Sequence, residues 1–110
     1  MIAQYVIGLT SLGQYDYVLI NAQGEVLAQG PALPSKQACV ASINRLRQYA
    51  QLTQHTRRRV LPDGGHSFSL HAPDGALLAY GTGLPSVAQR EVAIDAIRAI
   101  ASKAVITATV

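Results

Sequence analysis

Two histidines, His66 and His71, are the first residues of this sequence whose types could do chemistry, because imidazole serves as a metal ligand and as a general base. Both fall in a stretch that reads as a β-strand, where side chains alternate between the two faces. An odd separation therefore points them to opposite sides. They are not expected to share a metal, and His55 does not repair that, since zinc takes clustered cysteine and histidine ligands. The single cysteine, Cys39, could act as a nucleophile with a distant histidine. It lies in the apolar stripe of a helix, however, where a free thiol behaves as a small hydrophobe. Asp63, in Pro-Asp-Gly-Gly, and Asp74, in Pro-Asp-Gly, sit where turns use aspartate for local backbone hydrogen bonds. The reading assigns no catalytic, metal-binding or cofactor-binding residue, and it assembles neither a nucleophile–base pair nor a phosphate loop.

Arg57, Arg58 and Arg59 give the one electrostatic signal. The chain carries nine basic and six acidic residues, for a net charge of +3, and removing these three arginines leaves six against six. On a strand, Arg57 and Arg59 share a face and Arg58 takes the other. The plain reading is an edge strand whose charge discourages edge-to-edge pairing. The functional alternative is sequence-independent contact with nucleic-acid phosphates by Arg57 and Arg59, with Lys36 and Arg47 as further contacts.

The elements that must position these residues are legible from an internal repeat. Sliding the chain along itself by 51 residues aligns Gly13–Ala50 with Gly64–Ala101 without a gap. Identities fall at Leu19/Leu70, Gly24/Gly75, Gly30/Gly81, Pro34/Pro85, Ser35/Ser86, Ile43/Ile94 and Arg47/Arg98, among others, and Tyr17/Phe68 is a conservative match. Each copy reads as βββα. Strands are expected at Gln4–Thr10, Tyr15–Ile20 and Glu25–Gln29, then at Thr56–Leu61, His66–His71 and Ala76–Tyr80. Gly24 and Gly75 end turn sequences that favour positive φ. Pro34-Ser35 and Pro85-Ser86 announce helices over about 35–50 and 86–102, with serine as N-cap and apolar residues on one helical face. Val105–Val110 reads as a last strand, and Thr56–Leu61, in the matching place after the first helix, is expected to close copy one while opening copy two. This βββα order invites comparison with ribonuclease H, but that metal site needs acids that neither Gln4–Thr10 nor Ser35–Ala50 contains.

Hydrophobic residues make up 49% of the 110, enough for a core, and charged residues only 14%, well below the usual quarter. One domain, residues 1–110, is expected, with repeats of about 1–55 and 56–110. The sparse charge suggests that a partner, such as a second copy, covers part of the apolar surface. One cysteine allows no internal disulfide, the N-terminal stretch reads as a strand and not a signal peptide, and no apolar run is long enough to cross a membrane. A cytoplasmic location is the default expectation.

Gln14-Tyr-Asp-Tyr-Val-Leu, Gly24-Glu25, Ser35-Lys36 and Ile43 resemble the YegP-like family of bacterial proteins, and Ser86, Gln89-Arg90-Glu91 and Ile94 carry the likeness into the second copy. The chain departs from that pattern at Gln23-Gly24 and Asp74-Gly75 in place of Asn-Gly, at Val87 in place of lysine, and at Ser42 and Ala93 in place of glycine. The resemblance implies two βββαβ units in one sheet, with strands exchanged between the halves, and it implies no catalytic residues.

The fold expected is α+β: one mostly antiparallel sheet with two helices on one face and an internal pseudo-twofold. If Tyr15, Tyr17 and Leu19 face the helices, then Asp16, Val18 and Ile20 face away, where copy two has Ser67, Ser69 and His71. Val18 and Ile20 thus mark an apolar outer face for a protein partner or homodimer, unless loops fold over it. The function expected is a small non-enzymatic interaction or self-associating protein, with nucleic-acid binding through Arg57 and Arg59 as the alternative.

Overall fold

The computed structural model describes residues 2–50 and 56–108. The chain runs β1 (Gln4–Leu9), β2 (Tyr15–Ile20), β3 (Val26–Gln29), α1 (Lys36–Tyr49), β4 (Thr56–Val60), β5 (His66–His71), β6 (Leu77–Leu84), α2 (Val87–Ile100) and β7 (Val105–Ala108). All seven strands form one sheet in the order β4-β5-β6-β3-β2-β1-β7. Every neighbouring pair is antiparallel except β1 and β7, which run parallel from Gln4↔Val105 to Ile7↔Ala108. The sheet is therefore mostly antiparallel, as the strand pattern implies. Residues 109 and 110 of the expected last strand lie outside the described residues, as does His55.

Both helices lie on one face, and two tyrosines from the sheet reach them. Tyr5 stands opposite Leu19 and Ile7 opposite Tyr17 across β1 and β2, so all four side chains share a face. The Tyr5 hydroxyl donates to the Ala101 carbonyl at the end of α2, at 2.6 Å. The Tyr17 hydroxyl donates to the Leu78 carbonyl and accepts from Ser42 Oγ of α1 at 2.7 Å. Around them Ile7, Leu19, Ile43, Leu46, Leu78, Ile94 and Ile97 are fully buried, each worth roughly 1.5–3 kcal/mol relative to exposure. Cys39 lies in this core, and burial pushes its thiol up.

The helices begin where their serines dictate. Ser35 Oγ accepts from Ala38 N at 3.0 Å and Ser86 Oγ from Gln89 N at 3.1 Å, each serine in extended conformation. Positions identical across the 51-residue shift also share backbone geometry: Gly24 and Gly75 have φ of 84° and 90° and close the same turn onto Asn21 and Ala72.

Two expectations need correction. β6 does not stop at Tyr80 but runs on to Leu84, because its ladder with β5 extends past Gly81 and Gly83 to His66↔Leu84. β4 also has a single role and not two. It pairs antiparallel with β5, as β1 does with β2, but the strand parallel to β1 is β7 at the opposite edge. Among the described residues no strand pairs with the outer edge of β4.

The Tyr17–Ser42 pair has no counterpart 51 residues later, where Phe68 and Ala93 stand instead. Tyr17→Phe should cost about 1–3 kcal/mol by leaving the Ser42 hydroxyl and the Leu78 carbonyl short of a partner. Adding Ser42→Ala should recover some of that cost in a double-mutant cycle read by urea denaturation, whereas strictly additive losses would refute the coupling. Burial also pushes the Tyr17 phenol up to about 12. Its folded value exceeds the usual 10.0, so the neutral ring's contribution is complete below pH 10 and lost as pH rises through about 12.

Candidate functional site: the open face of the sheet

With both helices on one side, the other side of the sheet is built only from strand side chains. One cross-strand row, followed through its paired residues, spans all seven strands: Thr107, Val6, Val18, Gln29, Tyr80, Ser69 and Arg57. Residues paired across a sheet share a face, so this row runs over the open surface from an apolar half to a basic one.

In the apolar half, Val18 lies opposite Val6, and Ile20 lies beside Val26 and opposite Gln4. Val105 continues the patch beyond Gln4. Val18 and Ile20 are half-buried by their neighbours, whereas Val26 is 55% exposed and Val105 42%. Polar residues edge the patch: Gly8 faces Asp16, Val18 faces Gln29, and Thr107 Oγ1 donates to Gln4 Oε1 at 2.9 Å. The sheet thus places Val18 and Ile20 where alternation along β2 puts them.

In the basic half, the arginines separate as the strand period requires. Arg57 pairs with Ser69 and Arg59 with Ser67, both on the open face. Arg58 turns to the helix side, where Nη2 meets Glu91 Oε1 at 2.9 Å and Nε meets both carboxylate oxygens at 3.0 Å. Glu91, drawn below its usual range chiefly by that hydrogen bond, also takes Arg90 Nε at 3.0 Å and so ties the edge strand to α2. Among the described residues no carboxylate pairs with Arg57 or Arg59. Lys36 and Arg47 do not join them, because both belong to α1 on the covered side. Arg47 reaches inward, with Nη2 donating to the Ala104 carbonyl at 2.6 Å and its guanidinium over the Tyr5 ring at 5.5 Å.

The structure also places Ser69 Oγ 2.8 Å from His71 Nε2, while His71 Nδ1 lies 3.2 Å from the Gly75 carbonyl. The carbonyl can only accept, so Nδ1 carries a proton and Nε2 of the neutral ring accepts from Ser69. A serine held by an oriented imidazole is the pair that sequence reasoning did not assemble. The signal was present: residues two apart on a strand share a face, and it needed His71 weighed against its own strand neighbours and not against His66. A shallow cleft of about 260 Å³ opens beside this pair, lined also by Arg59, Ser67, Tyr80 and Thr82. Asp63 and Asp74 serve their turns, accepting from Gly65 N and Ala76 N, and Asp74 also meets Arg45 at 2.9 Å. Among the described residues no three His, Cys, Asp or Glu side chains gather to hold a metal, and no helix is long and apolar enough to cross a membrane.

This is a small α+β protein whose single sheet is covered by two helices on one face and presents the other. The same fold is found in the solution structure of yegP from E. coli, a protein of unknown function, with a TM-score of 0.92 and 17% identity over 99% of this chain and 94% of that one. It is found again in a UPF0339 protein from Shewanella oneidensis, with a TM-score of 0.91 and 18% identity over 98% and 92% of the two chains. The YegP-like resemblance read from the sequence therefore leads to the right architecture. No family model and no curated protein matches the sequence.

Proposed function

We propose that the chain is a small non-enzymatic interaction protein that associates with a second copy through the apolar half of its open face. The observation that supports this reading is the patch of Val6, Val18, Ile20, Val26 and Val105, crossed by Gln4 and edged by Asp16, Gln29 and Thr107. An apolar centre within a polar rim is the anatomy of a protein interface, and a sheet face of this kind packs well against its own symmetry mate. The low charge of the chain, 14% of residues, agrees with covered surface. Val18→Arg sets a cation at the middle of the patch without touching the core. The wild type should sediment as a dimer at hundreds of micromolar and the variant as a folded monomer. A wild type that stays monomeric at that concentration rules the reading out.

One observation favours nucleic acid as a second reading: Arg57 and Arg59 stand on the open face without a carboxylate partner among the described residues. Binding of this kind should weaken steeply with salt through counterion release, whereas self-association through valines should not.

A further inference from the structure

The basic half of the open face holds a cleft lined by Phe68 and Leu77 and by six residues able to donate hydrogen bonds. These are Arg59, Ser67, Ser69, His71, Tyr80 and Thr82, and no carboxylate lines the space. Arg59 has no acidic partner among the described residues, although Arg45, Arg58, Arg90 and Arg98 each have one. Ser67, 7% exposed, lies opposite Arg59 in the strand ladder, on the same face. A guanidinium without a carboxylate, with hydroxyls around it, is ready for an acceptor. The volume, about 260 Å³, falls below that usual for a drug-sized ligand, and it fits a small group.

We propose that this cleft binds one small tetrahedral oxyanion, phosphate-like in size and charge, with the Arg59 guanidinium as its ion-pair partner and the hydroxyls of Ser67, Tyr80 and Thr82 as donors. Guanidinium and hydroxyl donors are the usual partners of such oxygens, and an ionised acceptor strengthens each bond. Ser69 does not join them: Nδ1–H of His71 is held by the Gly75 carbonyl, so Nε2 accepts the Ser69 proton and that hydroxyl is turned to the ring. The site lies on the opposite half of the face from the valine patch, so it does not depend on self-association.

Sulfate is the first probe, because it is a tetrahedral dianion. Backbone amide shifts of the full chain would be followed on titration with sodium sulfate, at ionic strength held constant with chloride. Saturable shifts on β5 and β6 are expected. Arg59→Gln should weaken binding by about ten-fold or more, and Arg57→Gln, outside the cleft, should change it little. Inorganic phosphate should compete with sulfate for the same amides. Linear, unsaturated shifts would overturn the proposal, as would an Arg59→Gln variant that binds like the wild type with its spectrum otherwise intact. An oligonucleotide that binds through Arg57 and Arg59 equally, with no saturable sulfate binding, would also overturn it and would assign these arginines to a polymer backbone.

Discussion

Gly81→Ala and Gly30→Ala should each destabilise the protein by about 3 kcal/mol, near the upper end for overpacking a core. The reason is local. A Cβ at Gly81 would stand 2.5 Å from Cε1 and 2.6 Å from Cζ of the Phe68 ring, and a Cβ at Gly30 would meet the Tyr17 ring in the same way. These are ring carbons packed in the core, not the loose ends of side chains, so a ring or a strand has to move. At Gly30 the movement would also disturb the phenol that Ser42 and Leu78 hold. Denaturation midpoints would measure both losses. The mechanism adds a rescue: Phe68→Leu should make Gly81→Ala much less harmful, because the ring is the obstacle. Midpoints unchanged by either glycine substitution would show that the rings do not pack as described.

The segment Met1–His55, expressed alone, should be unfolded or should dimerise to replace what it lacks. It contains β1, β2, β3 and α1, but the strand beside β1 is β7 and the strand beside β3 is β6. Its two anchoring tyrosines also lose their acceptors, the carbonyls of Ala101 and Leu78. About fifty residues with both sheet edges unpaired make a marginal core. Circular dichroism and sedimentation would decide the matter. A stable folded monomer would be falsifying for the view that residues 1–110 form one domain from two interdependent repeats.

What could be read from the sequence is what local chemistry dictates. β2 and β5 begin and end where their β-branched and aromatic residues predict, and Ser35 and Ser86 cap the helices that their Pro-Ser signals announce. The splitting of Arg58 from Arg57 and Arg59, and the outward placement of Val18 and Ile20, follow from the two-residue period alone. Apart from the Ser69–His71 pair, the failures involve partners distant in the chain. The run of β6 beyond Tyr80 was missed, and the ring that requires Gly81 belongs to Phe68 on another strand. Arg47 looked free because its acceptor, Ala104, lies 57 residues on. The cleft was illegible for the same reason, since it exists only once pairing sets Arg59 of β4 beside Ser67 and Tyr80 of β6 beside Ser69.

The parallel pairing of β1 with β7 also fixes how the molecule would carry mechanical load. The two strands run side by side in the same direction, so tension applied through the segments flanking them pulls β1 from its beginning and β7 from its end. The strands are then dragged lengthwise past one another, and the backbone hydrogen bonds from Gln4↔Val105 to Ile7↔Ala108 are loaded together. In an antiparallel hairpin pulled from its open end, the bonds would instead break singly and in succession. Rupture under force is governed by the rate of unfolding and not by equilibrium stability. This short parallel ladder therefore acts as a shear clamp, and the protein should withstand stretching better than its size alone would suggest.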